Sequence, residues 1–214
     1  MNRDKGMRME KENLLIEYIG SWVLAIGANI NAAASTPSPF LTDEQLEEIN
    51  LVGFELQALG FAIQADSQSE LNLESAGNGI AAIGMLEIIS SILLPFSEKA
   101  ETNLQVSGNL LASLGAFMIF IEERFNEPHE PGHGLEMIGN LMQAIGAGIL
   151  AIALRLQGAQ KEAEKNKRMN ASNNEEETES TNAINNLIAW SSWLVAAGAV
   201  VALIGVGIQL SRDM

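Results

Sequence analysis

The chain has 214 residues and a formal net charge of −15 at pH 7, with 47% hydrophobic residues, 18% charged residues, 19 glycines and no cysteine. This charge opposes nucleic-acid binding, because neutralising phosphates requires clustered Lys and Arg. Without cysteine the chain has no disulfide, no thiolate metal site and no cysteine nucleophile. The composition lies between that of soluble domains, where about 25% of residues are charged, and that of membrane proteins.

Helix-breaking and helix-capping residues along the chain predict six helices. The first ends before Ser35–Pro39, a run rich in Ser and Pro. Thr42-Asp43-Glu44-Gln45 has the spacing of a capping box and predicts the start of the second helix. Ser67-Gln68-Ser69-Glu70 repeats this spacing before the third helix, and Pro95 lies near the end of that helix. These signals predict an all-α protein.

Composition divides the chain into four regions. Residues 1–12 are predicted to form an N-terminal tail, and residues 13–157 to form five repeated helices. Residues 158–183 are densely charged, which predicts either a solvated extension of the fifth helix or a disordered linker. Residues 184–214 form the sixth and most hydrophobic helix, in which Leu187–Leu210 carries no charge and is long enough to cross a bilayer.

One motif recurs in all six helices, with two small residues seven positions apart and large apolar residues between them. Because a helix turns by about 100° per residue, seven steps return to nearly the same face, so the small residues form a line. Such lines let two helix backbones approach closely, which offsets the low helix propensity of glycine. The sequence therefore predicts a six-helix antiparallel bundle or helical-repeat array packed through Gly and Ala. The copies are IGSWVLAIG (19–27), VGFELQALG (52–60), AGNGIAAIG (76–84), SGNLLASLG (107–115), IGNLMQAIG (138–146) and SSWLVAAG (191–198).

The motif also divides each helix into two arcs. Small and polar residues occupy one arc, together with the acids Glu17, Glu74 and Glu136 near helix starts, and large apolar residues occupy most of the other. In water the large residues would face a common core, whereas in a membrane they would face lipid and the small residues would pack inward. The direction of the large apolar arcs therefore distinguishes a soluble bundle from a membrane-embedded one.

Charges within the apolar stretches favour water for most helices. Glu17, Glu55 and Glu87 lie within or beside these stretches, and Lys and Arg show no positive-inside bias for six spans. The charge-free sixth helix favours a membrane instead, with Trp190 and Trp193 either as interfacial anchors or as buried aromatics. We therefore interpret the chain as a non-enzymatic structural or interaction protein, self-associating or membrane-peripheral. The alternative is a membrane-inserting protein, anchored by the sixth helix, multi-spanning or pore-forming.

The start of the chain has the outline of a secretory signal, but Glu17 interrupts its apolar run. We therefore favour the cytoplasm or a membrane over secretion. Self-association is the expected partnership and a membrane is a possible one, whereas nucleic acid is not expected and the sequence leaves a small-molecule ligand unknown. No cofactor, metal or catalytic residue is predicted.

A segment before the fifth helix, His129-Glu130-Pro131-Gly132-His133, matches the H-E-x-x-H signature of zinc metalloproteases. That signature requires a helix, which Pro131 disfavours, so the segment predicts a polar turn that at most binds metal adventitiously through His129, Glu130 and His133. If the repeated glycines mark helix contacts, Gly→Leu at Gly60 or Gly146 should be strongly destabilising, whereas Gly→Leu at Gly132 should be tolerated.

The phrases IGNLMQAIG (138–146), SGNLLASLG (107–115) and VGFELQALG (52–60) resemble an uncharacterised family of repetitive proteins from spore-forming Gram-positive bacteria. Proteins of that family consist of iterated IGN-x-L-Q-A-I-G phrases. The resemblance covers most of residues 13–157 and extends more weakly to 184–210. It implies a bacterial helical-repeat protein and no activity, cofactor or site residue.

Overall fold

Six long helices make up the described part of the protein, as the sequence predicted. The computed structural model describes residues 2–68, 71–125, 131–169 and 177–213, and within these ranges every regular element is a helix. The all-α fold class is thereby confirmed. The helices are α1 (Asn2–Ala34), α2 (Asp43–Ser67), α3 (Leu73–Leu93), α4 (Glu98–Phe125), α5 (His133–Met169) and α6 (Glu177–Asp213).

The helices form a closed antiparallel ring. Each helix packs against its neighbours in the chain, and α6 packs against α1. Within the described ranges no contact joins helices on opposite sides of the ring. This arrangement confirms the bundle and gives it a central axis that is lined by one face of every helix. Because α6 contacts both α5 and α1, it is part of the ring and is not set apart from the first five helices.

Some predicted boundaries differ from the observed ones. The helix α1 begins at Asn2, so residues 2–12 continue this helix and do not form a separate tail. The helix α5 extends to Met169, which makes residues 158–169 a helical extension, and α6 begins at Glu177. The sequence did not predict these boundaries because the additional helical turns are charged and exposed to solvent. Such turns lengthen a helix without adding apolar residues at helical spacing.

Caps at the starts of α2 and α3 illustrate one correct prediction and one error. The Gln45 backbone N–H donates to Thr42 Oγ1 at 3.2 Å, and the Thr42 N–H donates to Gln45 Oε1 at 3.0 Å, so the predicted capping box is present. The prediction that Ser67 begins a second capping box, at the start of α3, was wrong, because Ser67 is the last residue of α2. The N-cap of α3 is Asn72, whose Oδ1 accepts from the Ser75 N–H at 2.8 Å. Ser69 and Glu70 lie outside the described residues.

Glycine-mediated contacts join the helices into three hairpins, α1–α2, α3–α4 and α5–α6. A Cβ atom added at Gly60 would lie 2.6 Å from the Leu24 backbone nitrogen, and one added at Gly115 would lie 2.3 Å from the Gly77 carbonyl oxygen. At Gly139 the added atom would lie 2.5 Å from the Gly198 carbonyl oxygen. These distances are shorter than any real Cβ contact, so the backbones meet directly and the predicted Gly-lined packing is observed in every hairpin.

The expectation that Gly132 would tolerate a side chain is wrong. Gly132 has a φ of +99°, a conformation that residues with a Cβ rarely adopt. An added Cβ would also lie 2.3 Å from the Gly205 carbonyl oxygen on α6. Gly132 lies seven residues before Gly139, so the line of close contacts on α5 continues one step back into the turn. The composition of the HEPGH segment indicated the turn but concealed this contact.

Candidate functional site: a polar interior and a carboxylate cluster

Large apolar side chains point away from the ring. The large residues that stand just before the second small residue of the motif show this orientation. Their side chains are 48–55% exposed: Ile26, Leu59, Ile83, Leu114 and Ile145. Equivalent outward positions hold further large residues, among them Trp22, Leu86, Leu110, Phe117 and Ile204. Soluble proteins bury such residues, and a monomer in water rarely exposes apolar patches larger than a few hundred Å². The large arcs therefore face outward, as they would in a membrane.

The small and polar side chains of the motif lie in the interior. The residue that follows the first small residue of the motif is polar in five of the helices and is buried there, with exposures of 2–8%: these residues are Ser21, Asn78, Asn109, Asn140 and Ser192. Gln57 and Gln143 are also buried, at 4% and 3% exposure. Between them pack alanines such as Ala28, Ala81 and Ala112. The axis is therefore lined with amides, hydroxyls and methyl groups, interspersed with buried apolar side chains such as Leu24, Phe61 and Ile88.

Four glutamates converge at one end of this axis. Glu17, Glu74 and Glu136 each lie three residues before the first motif glycine of α1, α3 and α5, and Glu123 comes from the last turn of α4. Because α1, α3 and α5 run in the same direction around the ring, their equivalent positions meet at the same level. Glu136 faces the carboxyl groups of Glu17, Glu74 and Glu123. We name these four residues the carboxylate cluster.

Amide side chains hold the carboxylate cluster in place. Gln209 Nε2 donates to Glu136 Oε2 at 2.6 Å, and Asn140 Nδ2 donates to Glu123 Oε1 at 2.7 Å. Gln68 Nε2 donates to Glu74 Oε1 at 2.7 Å. Each donor comes from a helix other than that of its acceptor or from a cap beside it, so the amides fix the acids relative to one another. Glu136 and Glu123 are 8% and 5% exposed, whereas Glu17 and Glu74 are only half-buried.

Two small cavities lie on the axis. The first, of about 10 Å³, adjoins the carboxylate cluster and is also lined by Asn78 and Gln143. The second, of about 40 Å³, lies further along the axis and is lined by apolar residues, among them Phe61 and Met85, and by the polar side chains of Asn31, Gln57, Asn109, Gln143 and Ser192. Asn78 Oδ1, on a side chain that is 2% exposed, has no hydrogen-bond partner within the protein. The Asn78 Oδ1 atom can therefore accept a hydrogen bond from a small molecule in the cavity.

Of the HEPGH segment, the structure describes Pro131, Gly132 and His133. Pro131 and Gly132 form a turn, and His133, the first residue of α5, has its Nε2 2.8 Å from the Glu123 carbonyl oxygen. His129 and Glu130 lie outside the described residues, so their part of the prediction stays a prediction. Among the side chains that the structure describes, no group of three or more His, Asp or Glu could hold a metal ion.

Comparison with known families places the chain in one of them. Residues 15–203 match a family of unknown function (DUF6944). The chain belongs to this family. No curated protein and no solved structure matches it. Membership of DUF6944 is consistent with the expected uncharacterised family, while the link to repetitive proteins of spore-forming bacteria stays a prediction.

This DUF6944 member contains helices with the length and composition of membrane spans. Among the residues that the structure describes, five helices qualify, over Lys11–Ala34, Leu73–Leu93, Glu98–Phe125, His133–Asn166 and Ser180–Arg212, and the last has the highest mean hydropathy, 2.2. Trp190 and Trp193 on α6 are exposed rather than buried, at 75% and 44%. The Trp193 indole N–H donates to Thr36 Oγ1 at 3.0 Å, which links α6 to the end of α1.

Proposed function

We propose that the protein is a non-enzymatic integral membrane protein whose helical ring crosses the bilayer and encloses a polar axis. The observation that carries this proposal is the orientation of the motif, with large apolar side chains outward and Asn, Gln, Ser and Ala inward. Lipid tails solvate large apolar residues as well as a protein core does, so helices in a membrane associate through small residues and interhelical hydrogen bonds. The glycine-lined hairpins fit this mode of packing.

Helix length supports the same proposal. The shortest helix, α3, has 21 residues, which at about 1.5 Å per residue span about 30 Å, the thickness of a bilayer hydrocarbon core. On α4, no charged residue occurs between Glu101 and Glu122, and on α6 none occurs between Thr181 and Ser211. Both stretches are long enough to cross. Glu17, one of the acids that favoured water in the sequence, lies with Glu74 and Glu136 toward the axis and not toward lipid.

The helix α2 is the exception on the outer surface. It is absent from the five apolar candidates, and Glu55 near its middle is exposed. Since α2 meets α1 along the paired glycines, it must lie at the same depth as α1. A carboxylate facing lipid is unfavourable. We therefore propose that the α2 face is where the predicted self-association occurs, with a second copy of the chain covering Glu55.

The absence of cysteine allows a direct test of membrane insertion. We would introduce single cysteines at Ile83, Ile145 and Ile204 on the outer surface, attach a fluorophore, and reconstitute each protein in liposomes. Insertion predicts strong quenching by spin-labelled lipids and weak quenching by aqueous iodide. A cysteine at Glu44, in the first turn of α2, is the control and should show the opposite preference.

A second measurement addresses the cellular protein. An integral protein stays with the membrane pellet after alkaline carbonate extraction, whereas a peripheral or soluble bundle is released. Release into the supernatant, together with iodide quenching at all three outer positions, would overturn the proposal. That result would instead support the self-associating soluble bundle.

A further inference from the structure

We propose that the carboxylate cluster binds an exchangeable proton and passes it to water along the polar axis, so that the ring conducts protons across the membrane. This inference rests on the proposed membrane insertion and extends it to an activity. Three independent features support it: the convergence of the four acids, an unpartnered acceptor beside them, and cavities that continue the polar path.

Contact between two carboxyl groups indicates the bound proton. The Glu17 and Glu136 side chains are hydrogen-bonded to each other. An ionised carboxylate can only accept hydrogen bonds, so such a pair requires a proton on one of its members. Glu74 from α3 and Glu123 from α4 also face Glu136. Gln209 from α6 donates to Glu136, and His133 lies one turn earlier on α5, at the Glu123 carbonyl.

Asn78 shows where a water molecule carries the proton onward. Its Oδ1 faces the interior beside the cluster, lines the cavity of about 10 Å³ and accepts no hydrogen bond from the protein. A cavity of this size fits about one water molecule, and a buried water needs two to four polar partners. Asn78 and the carboxyl groups would provide such partners. A proton leaving Glu136 would transfer to this water, and the carboxylate would take another proton from the half-buried Glu17 or Glu74.

Beyond Asn78 the path continues to the other end of the ring. Gln143 lines both cavities and its Nε2 donates to Asn140 Oδ1 at 3.2 Å. The second cavity, of about 40 Å³, has room for about three waters at roughly 10–15 Å³ each. It reaches Ser35, which is only half-buried and directly follows α1. A chain of waters between these groups would carry protons by successive hydrogen-bond exchange, with no net change in any side chain.

The test is proton flux into liposomes that contain the purified full-length protein. A pH-sensitive dye is enclosed in the vesicles, and a potassium gradient with valinomycin provides the driving potential. We expect lumenal acidification that increases with the amount of protein and exceeds the leak of protein-free vesicles. Glu136→Gln preserves the size and hydrogen-bonding ability of the side chain but cannot carry the proton, so it should reduce the flux to the protein-free leak.

Two further variants distinguish the path from general damage. Asn78→Leu removes the unpartnered acceptor and fills the first cavity, and it should also abolish the flux. Glu44→Gln changes an exposed acid in the first turn of α2, away from the axis, and should leave the flux unchanged. Size-exclusion chromatography identifies any variant that misfolds, and if Glu136→Gln aggregates, Asn78→Leu against Glu44→Gln decides the outcome.

Each negative result has a separate meaning. Insertion by the lipid-quenching test without flux above the leak would overturn proton conduction and leave the proposed membrane protein intact. Equal flux in the wild type, Glu136→Gln and Asn78→Leu would also overturn it, because conduction would then bypass the cluster. Failure to insert would overturn the proposed function and this inference together.

Discussion

Two glycines on one helix provide a matched test of backbone packing. Gly79 and Gly84 both lie inside α3, five residues apart. A Cβ added at Gly84 would lie 2.4 Å from the Gly108 carbonyl oxygen and 3.0 Å from Leu111 Cβ on α4, whereas one added at Gly79 would meet no atom within 4 Å. Gly84→Ala and Gly79→Ala are therefore the same chemical change with and without a neighbouring backbone.

The expected magnitudes follow from these distances. Relieving the 2.4 Å contact at Gly84 requires α3 and α4 to separate by about 1 Å, which forfeits up to about half of each local dispersion contact, and overpacking of this kind costs about 1–3 kcal/mol. The higher helix propensity of alanine relative to glycine offsets about 0.5–1 kcal/mol of this cost. We expect Gly84→Ala to lower the free energy of unfolding by about 1–2 kcal/mol, and Gly79→Ala to raise it by about 0.5–1 kcal/mol.

The assay is reversible unfolding in mixed detergent micelles with increasing SDS, followed by tryptophan fluorescence. Wild type and both variants are measured under one condition, so that errors of extrapolation cancel. Equal changes of the same sign in both variants would refute the reasoning, since they would show that α3 and α4 do not meet at Gly84. A stabilised Gly84→Ala would have the same meaning.

Two smaller predictions concern the helix ends. Gly132→Ala should destabilise the protein by about 1–3 kcal/mol because of its positive φ and its contact with Gly205, whereas Gly134→Ala, where an added Cβ meets nothing, should not destabilise it; the same unfolding assay compares them. Thr42→Ala removes the capping box of α2 and should cost about 1 kcal/mol, with Thr42→Ser retaining most of the stability; a loss equal in both variants would contradict the capping role.

Much of the fold could be predicted from the sequence because it depends on local signals. The seven-residue spacing defines which face of each helix is small, and the breaks between copies define six helices. The α1–α6 contact could not be predicted in this way, since it joins the two ends of the chain and leaves no local pattern. The direction of the large apolar arcs also required the structure, because the same arcs suit water and lipid.

The carboxylate cluster was only half visible in the sequence. Glu17, Glu74 and Glu136 share one motif position, yet Glu74 and Glu136 also suit the positive end of a helix dipole, which was a sufficient reason for their presence. Their occurrence only in α1, α3 and α5 was the missed signal, because alternate helices of an antiparallel bundle share a direction. Glu123 had no such signal, as it belongs to α4 and reaches the cluster from the opposite helix end.

The three glycine-lined hairpins imply an order of assembly. In each of them the contacting helices are consecutive in the chain, so a hairpin can form as soon as its second helix has been synthesised. The α1–α6 contact needs the complete chain and must form last. Until then the polar faces of α1 and α6 lack the neighbour that covers them in the finished ring. We therefore expect premature termination before α6 to leave the α1 and α5 faces that contact α6 uncovered.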